Sequence, residues 1–149
     1  MLSTRFTTAL SIATELHVYQ ERKGKGEPYV AHLLAVTSLV LENGGTEDEA
    51  IAALLHDTLE DQSHQFAGGA DALRDYIQDR FGARVLQIVE ACTDTDVTPK
   101  PPWKERKVAY IDHLATADAS VLLVSCADKL HNGRSILQDY RQIGEALWP

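Results

Sequence analysis

The sequence predicts an all-α fold, a single bundle of about seven helices over residues 1–149. Apolar residues recur at helical spacing along most of the chain, and no run alternates strictly enough for a strand. Hydrophobic residues make up 44% and charged residues 24%, a balance typical of a globular domain with its own core. No internal repeat and no shift in composition marks a boundary, so we expect one domain.

The N-terminal half is predicted to form three helices, over residues 4–20, 28–42 and 47–61. Thr46 and Glu49 form a capping-box pattern at the start of the third helix. The run AIAALL that follows is apolar on nearly every face of a helix. We therefore expect the third helix to be buried.

The C-terminal half is predicted to form four more helices. Apolar positions indicate helices over residues 73–81 and 85–92, separated by a glycine. The Pro-rich segment TDTDVTPKPP predicts a loop, and helices follow over residues 103–117 and 119–140. The chain ends in an apolar Leu-Trp pair before Pro149, which leaves open a further C-terminal helix in the natural domain.

Charge and hydropathy limit the classes of partner. The net charge of −8 argues against a nucleic-acid binder, which usually carries a basic face. No apolar run approaches the ~20 residues that a membrane helix needs, and the N-terminus does not resemble a secretory signal. We expect a cytoplasmic protein without a nucleic-acid or membrane partner. A homo-oligomer stays open.

The end of the third predicted helix concentrates chemistry-bearing side chains. His56, Asp57, Glu60 and Asp61 lie at about 0°, 100°, 40° and 140° around a continuous helix, within one sector. Three carboxylates and an imidazole in one sector repel and desolvate one another unless a counter-charge is present. A divalent cation is the simplest counter-charge.

Two further polar residues interrupt apolar runs. His32 lies in YVAHLLAV and Asp128 in LLVSCADKLHN. Alone, His32 is typical of a core histidine, Asp128 of a buried salt bridge or cap, and the acidic cluster of a solvated helix end. Together they make a metal site the better hypothesis, because imidazole and carboxylate suit a first-row divalent ion.

The motifs H…HD…D, with the HDxxED extension, resemble the HD superfamily of metal-dependent phosphohydrolases. More narrowly, YVAHLLAV, LLHDTLEDQ and ADKLHN are similar to the hydrolase domain of RelA/SpoT-type alarmone enzymes, over residues 22–134. A chain of this length has no room for a synthetase domain and so resembles the small alarmone hydrolases. The resemblance implies the all-α HD bundle.

The resemblance also implies residue roles. One metal ion, Mn²⁺ by this comparison, would be held by four ligands, His32, His56, Asp57 and Asp128. Glu60 and Asp61 would position and deprotonate the attacking water without binding the metal. The implied reaction is hydrolysis of the 3′-pyrophosphate of (p)ppGpp, which releases pyrophosphate and leaves GDP or GTP.

A polyanionic substrate requires cations that locally outweigh the negative charge of the chain. Basic residues flank the predicted site along the sequence. They are Arg22, Lys23, Lys25, Lys100, Lys104, Arg106, Lys107, Lys129 and Arg134. By resemblance, Arg22 and Lys23 hold the base and phosphates and Asn132, one turn after Asp128, contacts the nucleotide. Lys107 is our further choice for a phosphate contact.

Other candidates have a plainer interpretation. We expect His17, His64 and His113 to be surface or capping residues, and His131 not to bind the metal. Trp103 follows two prolines and is predicted to be a core residue rather than a ring on which a base stacks.

The sequence leaves alternative functions open. The same metal site suits (p)ppApp, NADPH or another nucleotide as substrate. A nucleotide or metal sensor without catalysis is a further alternative, although the intact Glu60-Asp61 pair argues against it. The last alternative is a helical scaffold protein in which the His-Asp pair has no function.

Overall fold

The computed structural model describes residues 1–23, 26–95, 97 and 99–148. The cation predicted at Lys25 therefore lies outside the described residues. Within the described ranges the chain forms eight α-helices and one short 3-10 segment, and its only extended pairing is an isolated bridge between Glu21 and Pro28. The elements are α1 (Thr4–Leu16), α2 (Val30–Glu42), α3 (Glu47–Leu55), α4 (Thr58–Gln62), α5 (Gly69–Phe81), α6 (Ala83–Cys92), α7 (Trp103–Leu114), α8 (Ala119–Ile143) and the 3-10 segment Gly144–Leu147. The all-α prediction is confirmed.

Helix α3 is the centre of the bundle. It packs against α1, α2, α6 and α8, and every side chain from Ala50 to Leu55 is fully buried, as the apolar run predicts. The capping box forms with both of its hydrogen bonds, between the Thr46 side chain and Glu49 N–H and between Glu49 and Thr46 N–H. A buried central helix places its C-terminal end inside the molecule.

The third predicted helix is two helices, which corrects the continuous helix of the sequence analysis. Helix α3 ends at Leu55 and α4 begins at Thr58. Asp57 has φ −96° and ψ −1°, outside the α-helical minimum. His56 Nδ1 lies 2.8 Å from the carbonyl oxygen of Ala53, the acceptor that a continuing helix would offer to the N–H of Asp57.

The first helix ends earlier than predicted, at Leu16 rather than residue 20. His17 is its C-cap residue, and a loop that includes residues 20–23 and 26–29 follows. Two backbone hydrogen bonds close this loop, from Tyr29 N–H to Gln20 and from Arg22 N–H to Glu27, both at 2.8 Å. The loop therefore holds Arg22 beside the start of α2. None of the described helices combines the length and hydropathy that a bilayer-spanning segment needs.

Candidate metal centre and its cavity

Two buried histidines face each other where α2 meets the end of α3. His32 is 1% exposed and His56 is 2% exposed, and their rings meet edge to face with centroids 5.3 Å apart. Each of them interrupts an otherwise apolar run of its sequence. Two imidazoles at this depth need polar partners, because unpaired buried polar groups are destabilising.

Two carboxylates supply these partners. His32 Nε2 lies 3.2 Å from Asp128 Oδ1 and 3.6 Å from Asp57 Oδ2. His56 Nε2 lies 3.0 Å from Asp57 Oδ2 and 3.7 Å from Asp128 Oδ1. Three segments of the chain, α2, the α3–α4 turn and α8, thus bring four predicted ligands to one point.

The donors at this point fit a divalent ion. Ligand atoms of His32, His56 and Asp57 all lie within 4.8 Å of one another, and Asp128 stands beside them. His56 Nε2 is buried without a hydrogen-bond partner and faces the shared centre, 3.0 Å from Asp57 Oδ2. Two imidazoles and two carboxylates suit a first-row divalent metal.

The electrostatics of the cluster also favour a cation. Burial opposes protonation of His56, but the negative charges of Asp57 and Asp128 outweigh it and hold the pKa of this imidazole well above its usual range. Burial likewise opposes ionisation of both carboxyls. Contacts with the two histidines outweigh it and lower the pKa of Asp57 and of Asp128 well below the usual range. A proton on His56 or a divalent ion can therefore supply the positive charge.

Neighbouring side chains orient the two carboxylates. The Tyr29 hydroxyl donates to Asp57 Oδ2 at 2.5 Å. Lys129 Nζ donates to one oxygen of Asp128, and Asn132 Nδ2 donates to the other at 2.6 Å. Metal-binding carboxylates are usually hydrogen-bonded in this way, which fixes the direction of their lone pairs.

Glu60 and Asp61 lie on α4 outside the compact group of ligand atoms. Their side chains are 20% and 26% exposed. Glu60 Oε1 accepts a hydrogen bond from Lys100 at 2.7 Å, and Asp61 Oδ2 accepts one from the side-chain amide of Gln20 at 2.7 Å. Both side chains are therefore partly exposed to solvent.

A buried polar network that includes His17 lies next to Asp61. His17 is the C-cap residue of α1, which is one of its two predicted roles, but its ring is only 2% exposed and so does not lie on the surface. His17 Nδ1 lies 2.6 Å from Gln20 Oε1, and Gln62 also donates to that oxygen. Burial lowers the pKa of His17, which favours the neutral ring. The sequence does not indicate this burial, because His17 directly follows α1 and helical spacing does not assign it to a buried face.

A cavity of about 660 Å³ opens over the metal centre. Its walls include Asp57, Glu60, Asp61 and Asp128. Trp103 also lines the cavity and is 68% exposed, so the prediction that this ring belongs to the core is wrong. The reason is that α7 packs loosely, with Tyr110 its only buried residue.

The predicted surplus of local cations is absent from the described walls of the cavity. Six lining residues are Lys or Arg, and seven are Asp or Glu. A divalent ion would reverse this balance to a net positive charge. We therefore expect binding of a polyanion in this cavity to depend on binding of the metal.

All four predicted substrate-binding residues line the cavity. Arg22 Nη2 donates to Asn132 Oδ1 at 3.1 Å, and Asn132 donates onward to Asp128. Lys107 Nζ donates to Asp94 Oδ2 at 2.6 Å, so a phosphate there must compete with a carboxylate. Contacts of these residues with a nucleotide stay predictions.

The sequence analysis missed two residues of the site, Tyr29 and Gln20, and the partner of Lys100, which it named only as a flanking cation. Tyr29 precedes His32 by three positions, so helical spacing alone indicates a shared face. Gln20 follows His17 by three positions and gives a weaker signal of the same kind. No sequence signal pairs Lys100 with Glu60, which lies 40 residues earlier in the chain.

Comparison with known proteins agrees with this geometry. The HD domain family matches residues 9–146. The guanosine-3′,5′-bis(diphosphate) 3′-pyrophosphohydrolase MESH1 of Xenopus tropicalis is 37% identical over 131 residues, which cover 86% of this chain and 67% of that protein. The enzyme of the same activity from Aquifex aeolicus is 38% identical over 130 residues, covering 86% of this chain and 17% of its own length.

A solved structure is similar as well. A metazoan ortholog of SpoT that hydrolyzes ppGpp superposes with a TM-score of 0.79 at 30% sequence identity. The superposition covers 92% of this chain and 72% of that chain. The chain belongs to the HD domain family.

Proposed function

We propose that this chain is a metal-dependent hydrolase that cleaves the 3′-pyrophosphate of (p)ppGpp to give GDP or GTP and pyrophosphate. The observation that carries the proposal is the meeting of a buried His-His-Asp ligand group with two solvent-accessible carboxylates in one cavity. The named activity of the relatives and of the similar structure supports the choice of substrate.

His32, His56, Asp57 and Asp128 would hold one divalent ion. When bound, this ion supplies a Lewis acid that polarises a phosphoryl oxygen and acidifies water. We propose Mn²⁺, because the mixed imidazole and carboxylate set suits an ion of intermediate softness.

Glu60 and Asp61 act on the attacking water. One of the two carboxylates accepts a proton while the water oxygen bonds to the phosphorus attached to O3′. The bond between that phosphorus and O3′ then breaks, O3′ takes up a proton, and pyrophosphate leaves. Gln20 holds Asp61 by a hydrogen bond from its side-chain amide, which orients this carboxylate in the wall of the cavity.

The walls of the cavity bind the rest of the nucleotide. Arg22, Lys23 and Lys107 contribute positive charge for the phosphates, and Asn132 offers an amide between Arg22 and Asp128. The exposed ring of Trp103 offers a face on which a purine can stack. We propose that residues 1–149 act as one HD domain in the cytoplasm, with a nucleotide and no nucleic acid as partner, and a homo-oligomer stays open.

Product analysis tests this function. Purified protein is incubated with Mn²⁺ and, in parallel, ppGpp, ppApp and NADPH. GDP and pyrophosphate from ppGpp, abolished by EDTA, are the expected result. Turnover of ppApp or NADPH alone would keep the metal centre and change the substrate. Metal binding without turnover of any of the three would favour a sensor.

A further inference from the structure

His131 contacts a predicted metal ligand on the side away from the metal. Its Nδ1 lies 2.7 Å from Nδ1 of His32, and the two ring centroids are 4.9 Å apart at an interplanar angle of 47°. His131 belongs to α8, three residues after Asp128, whereas His32 belongs to α2. Helix α8 thus touches His32 with two side chains, a ligand carboxylate on one ring nitrogen and an imidazole on the other.

The chemistry of a ligand fixes the direction of this contact. A histidine that binds a metal through Nε2 needs a lone pair on that atom, so its neutral ring carries the hydrogen on Nδ1. Two ring nitrogens 2.7 Å apart form a hydrogen bond only if one of them carries hydrogen. His32 Nδ1–H is then the donor and His131 Nδ1 the acceptor.

The second histidine of the centre is held differently. His56 Nδ1 lies 2.8 Å from the backbone carbonyl of Ala53, one turn earlier on its own helix. That acceptor is built into α3 and does not depend on any side chain. The orientation of His32, in contrast, depends on a side chain from another helix.

We infer that His131 is a positioning residue that holds the neutral His32 ring in the tautomer and rotation that aim Nε2 at the metal. This role depends on the metal centre of the proposed function and adds a residue to it. Outer partners of metal-bound histidines of this kind typically contribute 10–100-fold to metal affinity. His131 is half-buried, so its replacement disturbs little of the core.

Metal titration tests the inference without any substrate. The Kd for Mn²⁺ is measured by calorimetry for the wild type, His131→Ala and His131→Asn. We expect His131→Ala to weaken binding by about 10–100-fold. The oxygen of an asparagine at this position lies where Nδ1 does and can accept the same hydrogen bond, so His131→Asn should recover most of the affinity. His64→Ala, at an exposed histidine, is the matched control and should bind like the wild type.

Two outcomes overturn the inference: unchanged affinity in His131→Ala, or affinity in His131→Asn as weak as in His131→Ala, which would indicate packing alone.

If His131→Ala does not fold, nitrogen NMR of the Zn²⁺-loaded wild type tests the inference instead. A hydrogen on His32 Nδ1 with a coupling across the bond to His131 Nδ1 is expected, and a hydrogen on His131 Nδ1 contradicts it. Metal binding without ppGpp turnover would overturn the proposed substrate only, whereas a wild type that binds no metal would overturn both proposals.

Discussion

Metal binding at this centre should displace one proton, and the proton should come from His56. Its Nε2 lies 3.0 Å from Asp57 Oδ2 and 3.7 Å from Asp128 Oδ1, and these charges hold the pKa of His56 well above its usual range. The two carboxyls have lowered pKa values and are already ionised at neutral pH. At pH values below the folded-state pKa of His56, each rise of one pH unit should therefore lower the Kd for Mn²⁺ about tenfold. This corresponds to ~1.4 kcal/mol of binding free energy per pH unit.

The same proton makes the stability of the metal-free protein depend on pH. A pKa that folding raises stabilises the folded state fully below the unfolded-state value of about 6.5. This contribution of His56 is lost as the pH rises through its folded-state pKa. Mn²⁺ replaces the proton, so the gap in melting temperature between loaded and metal-free protein should widen with pH. For a chain of this size, ~1.4 kcal/mol per pH unit widens this difference in melting temperature by about 3–6 °C per pH unit.

Thermal unfolding between pH 6 and pH 9, in EDTA or in Mn²⁺, measures this gap. Calorimetry in two buffers with different ionisation enthalpies counts the protons released, and we expect about one per metal ion. His64→Ala should behave like the wild type, because this residue is exposed. A gap that stays constant across the range, with no proton released, would show that His56 is neutral before the metal binds and would refute the reasoning.

Three substitutions separate the parts of the site and the fold. Glu60→Ala should keep Mn²⁺ affinity and lower kcat by about 10²–10⁴-fold, because it removes a carboxylate that handles the proton. Gln20→Leu removes the hydrogen bond that holds Asp61, so kcat should fall about tenfold or more while the Kd for Mn²⁺ is unchanged. Leu54→Ala creates a cavity at a fully buried position of α3 and should lower the free energy of unfolding by about 2–5 kcal/mol in denaturant titrations.

Each substitution has a matched control at an exposed position. Glu15→Ala, Gln78→Leu and Leu130→Ala should leave kcat, metal affinity and stability near the wild-type values. Equal loss of metal and turnover in Glu60→Ala would contradict the separation of ligands from the water-activating pair. A fully active Gln20→Leu would mean that Asp61 needs no positioning. A loss below about 1 kcal/mol in Leu54→Ala would contradict the central packing of α3.

Local sequence patterns predicted the central helix α3 and the buried polar residues next to it. The capping box at Thr46 and the apolar run after it placed α3 in the core, and burial of that helix placed His56 inside the molecule. His32 and Asp128 were identifiable because each interrupts an apolar helical run, and an isolated polar group in such a run requires a partner. These are signals that a few neighbouring residues determine.

Tertiary contacts decided what the sequence could not. At the break between α3 and α4 the His56 side chain contacts the backbone carbonyl of Ala53, and helical periodicity does not report such a contact. His17 is buried because α4 covers it, through Thr58 and Gln62, although it follows the end of its own helix. Trp103 stays exposed because α7 has few neighbours, so its apolar character alone misled the prediction.

Hydrolysis of ppGpp in ¹⁸O-water by Mn²⁺-loaded protein tests the proposed chemistry most directly. Mass analysis follows the label into the two products. Attack on the phosphorus attached to O3′ places one ¹⁸O in pyrophosphate and none in GDP, and EDTA abolishes the reaction. Label in GDP, or no turnover by protein that has bound its metal, would contradict a metal-dependent 3′-pyrophosphohydrolase at the His32–His56–Asp57–Asp128 centre.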